Sequence, residues 1–196
     1  IYLDLVVLYG TESQIFRSIT NSSTWLPDDI RDSFIWTSYL LLLSKYTSIK
    51  SRTGNIKQII TIAKNKSIDW INKYPNDAHV LKAYLKLLQA HGTASQKHDW
   101  IDRTAEWLEH HIQDNYVRST YLELIFSDGD AEQIERSVQL TKYWIIDNPD
   151  DIFVRRPYTK IIAKYGDYGD RYELAANTEA WLRVNPNDDY VRTAYL

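Results

Sequence analysis

Apolar residues recur at helical spacing along this chain. Val117, Tyr121, Leu124 and Ile125 stand at i, i+4, i+7 and i+8, one stripe of an α-helix. The same stripe returns as Val80, Tyr84, Leu87, Leu88 and as Val154, Tyr158, Ile161, Ile162. A second stripe, Ile134, Val138, Thr141 and Ile145 with Trp144 beside it, has the counterpart Ile101, Thr104, Ala105, Leu108 and Ile112. The pattern predicts two alternating helices of roughly 14–16 residues, each apolar on one face, and about eleven helices in all.

The stripes keep a fixed period. Trp25, Trp70, Trp107, Trp144 and Trp181 are separated by 45, 37, 37 and 37 residues. Tyr2, Tyr39, Tyr84, Tyr121, Tyr158 and Tyr195 are separated by 37, 45, 37, 37 and 37. Two aromatic series thus share one 37-residue period and one eight-residue insertion, near residues 45–54.

The breaks repeat as well. Gly10, Gly92, Gly129 and Gly166 fall eight residues after a repeat Tyr, where a left-handed helix end is expected. Pro75, Pro149 and Pro186 fall five after a repeat Trp and end the second helix. Asp32, Asp77, Asp114, Asp151 and Asp188 follow the Trp by seven and suit an N-cap. Asp114–Arg118, Asp151–Arg155 and Asp188–Arg192 form i, i+4 pairs, worth about 0.2–0.5 kcal/mol each on an exposed helix. Pro157 lies inside a helical stripe, which predicts a kink or a late start near Arg155.

Neither helix can bury its stripe alone, so the reading is all-α: an α-solenoid of about five stacked helical hairpins, one array over residues 1–196. The unit resembles a tetratricopeptide repeat stretched to 37 residues. The likeness rests on the Gly closing the first helix, the Pro after the second, and the large first-helix Tyr. It departs where the family keeps small residues: Leu40, Leu85, Leu122 and Thr159 follow the Tyr, and a bulky Trp takes the place of a second-helix alanine. The string from Trp181 to Leu196, W-x4-P-x-D-x2-V-R-x2-Y-L, is also similar to repeats in the sensor arrays of bacterial STAND-type signal-transduction ATPases. No G-x4-G-K-[ST] nucleotide loop accompanies it.

In the resembling family the first helix of each hairpin lines a concave groove. The likeness assigns that role to Phe34, Thr37, Leu41, Ser44; to His79, Lys82, Lys86, Gln89; to Tyr116, Ser119, Glu123, Phe126; to Phe153, Arg156, Lys160, Ala163; and to Tyr190 and Thr193. Aromatic, Lys and Arg side chains make such a surface suited to a protein or peptide ligand.

Composition narrows the chemistry. Lys plus Arg total 23 and Asp plus Glu 26, a net charge of −3, which argues against a dedicated nucleic-acid binder. Residues 33–68 nevertheless hold no acid, while Lys45, Lys50, Arg52, Lys57, Lys64 and Lys66 give +6. Lys45, Lys50, Arg52 and Lys57 form the candidate basic patch, read either as a solvated loop or as a dock for an acidic partner. Cysteine is absent, so disulfides and thiolate sites are excluded. Methionine is absent too, and the array is expected to continue beyond both ends in a longer protein, with self-association through those ends.

Glu106, His110, His111 and Asp114 cluster around one helix end, without the converging donor set a metal needs. No catalytic elbow or metalloprotease motif is found. The expectation is a non-enzymatic, cytoplasmic protein–protein interaction scaffold without cofactor, the ligand-sensing array of a larger signalling or defence protein. The competing readings are an RNA-binding helical repeat and a structural spacer without a ligand.

Overall fold

The computed structural model describes residues 2–25, 32–46 and 54–195. Among them the chain is helical throughout: α1 (Tyr2–Tyr9), α2 (Glu12–Trp25), α3 (Ser33–Lys45), α4 (Gly54–Lys73), α5 (Ala78–His91), α6 (Ala94–His110), α7 (Asn115–Asp128), α8 (Ala131–Asp147), α9 (Ile152–Tyr165), α10 (Tyr168–Val184) and α11 (Asp189–Tyr195). The chain forms two compact units, Ile1–Gln96 and Lys97–Leu196.

Helix starts follow the repeated aspartates. Asp32 Oδ1 accepts from Phe34 N and Ile35 N, Asp151 Oδ1 from Phe153 N and Val154 N. Asp77, Asp114 and Asp188 each accept from the N–H three residues on. Each carboxylate satisfies donors that the first turn leaves orphaned and meets the positive end of the helix dipole. Asp130 with Gln133 and Asp167 with Asp170 form reciprocal capping boxes on α8 and α10.

Helix ends depart from expectation. Gly92, Gly129 and Gly166 cap α5, α7 and α9 with φ of −76°, −70° and −63°, extended backbone and not left-handed. Crowding explains the glycine: a Cβ at Gly129 would stand 2.8 Å from Ile125 O, and at Gly166 2.6 Å from Ile162 O. The cap N–H of each bonds that same carbonyl, which draws the backbone in.

In the first unit α3 packs on α1, α2 and α5, and α4 on α5. Leu40, Leu42, Leu43, Leu85, Leu87 and Leu88 are fully buried there. In the second, α9 contacts α7, α8, α10 and α11. Its core is Val117, Tyr121, Leu124 and Ile125 with Val154, Tyr158, Ile161 and Ile162, the two predicted stripes. The α8 stripe is rotated from the expected one. Gln133, Ser137, Thr141 and Trp144 are buried beside Val138, while Ile134 and Ile145 are half-buried.

Pro157 does not delay its helix. Helix α9 starts at Ile152, and Arg155 N already bonds Asp151 O. The Asp151 cap holds the first turn, so the ring costs one later hydrogen bond and leaves the start intact.

At Arg118 and Arg155 the arginine four residues after the N-cap is not a surface ion-pair partner, whereas the exposed Arg192 pairs with Asp189 at 3.3 Å. Arg118 is 1% exposed; its guanidinium donates to Leu140 O at 2.9 Å and Ile112 O at 3.0 Å. Arg155 donates to Pro149 O at 2.8 Å, and Arg192 to Pro186 O. In all three the accepting carbonyl lies six residues back, in the turn before the helix. Burial lowers the Arg118 pKa to about 10. The same position in the first unit holds Leu81 and Trp36, both buried.

Candidate functional site

The groove positions taken from the likeness lie on α3 and α5 in the first unit and on α7, α9 and α11 in the second. Their N-capped starts present the residue two after each Asp outward, at Phe34, His79, Tyr116 and Phe153, all exposed. Three after the Asp, the side chain turns inward in four of the five helices: Val80, Val117, Val154 and Val191 are fully buried, while Ile35 on α3 is 41% exposed. One residue along a helix is about 100°, and that rotation separates core from surface.

In the first unit Phe34 and His79 face each other, ring centroids 5.9 Å apart. Further along, Val7, Leu41, Ser44, Lys45, Lys86, Gln89 and Ala90 line an open cavity of about 360 Å³. Leu41, Ser44, Lys86 and Gln89 are four of the positions taken from the repeat. Lys82 is half-buried beside them on α5. Lys45 was read only as part of the basic patch; here it lines the cavity and donates to Val7 O. Of the rest of that patch, Lys57 is exposed on α4, and Lys50 and Arg52 lie outside the described residues.

Lys64 has a structural task instead. Its ammonium donates to Gln96 Oε1 at 2.9 Å and His91 O at 3.3 Å, and burial lowers its pKa. His91 itself bridges helices, Nε2–H donating to Leu43 O at 2.9 Å. Burial is the main cause of its lowered pKa.

In the second unit Tyr116 and Phe153 hold the same position on adjoining helices. Glu123 and Arg156 are half-buried and Lys160 is exposed on the same two helices; the side chain of Tyr190 lies outside the described residues. A second cluster closes the far end. The Lys164 ammonium lies 4.8 Å from the Phe126 ring centroid and 4.6 Å from that of Tyr165, and the Tyr165 hydroxyl donates to Phe126 O. Lys164 and Tyr165 escaped sequence reasoning because they stand six and seven residues after the repeat Tyr, outside the four positions considered. An aromatic or basic residue recurring there, as at Tyr9, Lys45 and His91, was the available signal.

The histidine cluster is spent on helix ending. His110 and His111 each donate Nδ1–H to the carbonyl four residues back, and the His111 ring stacks on Trp107 at 3.8 Å. Among the described residues no group of three or more His, Asp or Glu side chains converges to hold a metal ion. None of the described helices is long and apolar enough to cross a membrane.

No family model, curated protein or solved structure matches the chain.

Proposed function

We propose that this chain is a tetratricopeptide-like α-solenoid that acts as a non-enzymatic scaffold for protein or peptide ligands. The ligand would lie along the first helices of successive hairpins, in the manner of a sensor array within a larger signalling or defence protein. The observation that carries this reading is the first-unit cavity. Four positions assigned by the family likeness converge in it, with apolar Val7, Leu41 and Ala90 beside the cations of Lys45 and Lys86. Mixed apolar and cationic linings suit an extended or helical segment carrying carboxylates.

The second unit supplies aromatic anchors of the kind that dominate binding energy, Tyr116 and Phe153, with Arg156 and Lys160 beside them. The test is capture of ligands from a peptide library by the chain and by two double variants. Phe153→Ala with Arg156→Ala should weaken capture by at least about 2 kcal/mol, the scale of an interface hot spot, with thermal unfolding unchanged. Leu41→Asp with Lys86→Glu should do the same for ligands held at the first unit. If both variants capture what the parent captures, the groove reading fails. Binding of single-stranded RNA that collapses with salt would favour the nucleic-acid reading instead.

A further inference from the structure

The two buried arginines of the second unit are not satisfied alike. Arg118 spends both amino groups, one on Ile112 O at 3.0 Å and one on Leu140 O at 2.9 Å. Arg155, one period later and 5% exposed, keeps the bond to the preceding turn, at Pro149 O. Its other amino group has no counterpart of the Leu140 bond, although Asn177 stands one period after Leu140. The Nε–H of Arg155 is buried without an acceptor as well. A guanidinium is all donor, and a buried donor left unpaired is costly.

A cavity stands where that second bond would be. It lies between α8, α9 and α10 and has a volume of about 30 Å³. Arg155, Lys142, Asp170, Glu173 and Asn177 line it, with Leu174 among its apolar walls. On its solvent side the Lys142 ammonium and the Glu173 carboxylate pair at 2.7 Å. Helix α10 is as long as α8, seventeen residues, so the gap does not come from a shortened helix. Tyr158 beside it is 8% exposed, where Tyr121 in the joint closed by Arg118 is 0% exposed.

Size and charge select the occupant. A water molecule needs about 10–15 Å³ of such space, and its share of the liquid is about 30 Å³. An organic ligand is too large. Lys142 and Arg155 bring two positive charges and Asp170 and Glu173 two negative ones, so the walls are neutral in sum. An anion would be set against carboxylates and a cation against the guanidinium, and neither would recover its hydration. Water accepts from Arg155 and donates to the oxygens that Asp170, Glu173 and Asn177 offer.

We infer that this cavity is a specific water site, where one held molecule joins Arg155 to α10 as Leu140 O joins Arg118 to α8. The α7–α8 joint is then closed by a direct bond and the α9–α10 joint by a water bridge.

The experiment is water–protein cross-relaxation NMR on the nitrogen-15-labelled chain, read at the Arg155 Nε–H. That signal is assigned by its loss in Arg155→Lys. A direct cross-peak to water is expected, with the sign of a rigidly held molecule and not of passing solvent. Leu174→Phe, which fills the cavity, should abolish the cross-peak while helical circular dichroism is kept. Should Leu174→Phe lose helicity, a crystal structure of the parent decides. It should show one spherical density peak within hydrogen-bond distance of both the Arg155 guanidinium and an oxygen of α10. No cross-peak in the parent overturns the inference, as does one that persists in folded Leu174→Phe. An Asn177 oxygen accepting directly from Arg155 overturns it too. So does an anomalous peak at the site in bromide-soaked crystals, which would make it an anion site.

Discussion

The guanidinium of Arg118 lies 5.4 Å from the centroid of the Trp144 ring, twenty-six residues further along the chain. One repeat later Arg155 stands 4.8 Å from Trp181, at the same separation. Each arginine thus ties three places together: the turn before its own helix, the helix itself, and the repeat Trp of the next second-type helix.

Arg118→Ala should be among the most destabilising single changes in the second unit, by at least about 3 kcal/mol. It leaves the carbonyls of Ile112 and Leu140 without their donor and removes the cation from the Trp144 face. Urea unfolding measures it. Arg192→Ala, at an exposed equivalent, is the control and should cost far less.

Trp144→Ala should cost about 3–5 kcal/mol, the usual range for a large buried aromatic. Its ring is 4% exposed and its indole N–H is buried without a hydrogen-bond partner. Trp181 donates to Asp188 and Trp70 to Asp77, so Trp144→Phe should cost less than Trp70→Phe, where an acceptor is stranded. A denaturation midpoint that is insensitive to Trp144→Ala would mean that the ring does not pack as described.

Gly129→Ala should destabilise by about 1–3 kcal/mol, the scale of a forced steric clash, because its Cβ meets Ile125 O at 2.8 Å. Gly169→Ala, whose added Cβ would meet the Asp167 capping carboxylate at 3.3 Å, is the matched comparison and should cost much less in thermal unfolding.

His91 makes stability depend on pH. Burial lowers its folded pKa below the ordinary 6.5, so the unfolded chain binds the proton more readily. Its contribution is complete above pH 6.5 and is lost as pH falls through that value toward the lowered one. The nearby Lys64 ammonium acts in the same direction. In His91→Gln the stability profile just below pH 6.5 should be flatter than in the parent, as read by urea midpoints at a series of pH values.

Much of this architecture is legible in the sequence because the repeat exposes it. The five aspartates announce their helix starts, and the Val–Tyr stripes announce the core, since both depend on neighbours within one or two turns. Arg118 and Arg155 were misread for the opposite reason. Asp–Arg at i, i+4 reads the same on a wet surface as in a core, and what buries the guanidinium lies twenty-two to twenty-six residues away. Gly129 was read as a left-handed cap because sequence cannot distinguish a need for positive φ from a lack of room for Cβ. At the site, phase told which residues point outward, Phe34, Tyr116 and Phe153 among them. It did not tell that Lys45 would turn toward Val7 and join Lys86, because that depends on how α1 sits against α3.

The Arg–Trp tie also governs how this protein can be cut and spliced. Arg118 reaches back to Ile112 and forward to Leu140 and Trp144, so a truncation after Gly129 would remove the α8 carbonyl and ring that hold its guanidinium and leave the side chain in water. A hairpin whose second-type helix lacks the Trp would be a poor insert for the same reason. The transferable module in the second unit is therefore not the hairpin seen by eye. It is a segment bounded by whole ties, from the turn before one arginine to the Trp that its guanidinium covers.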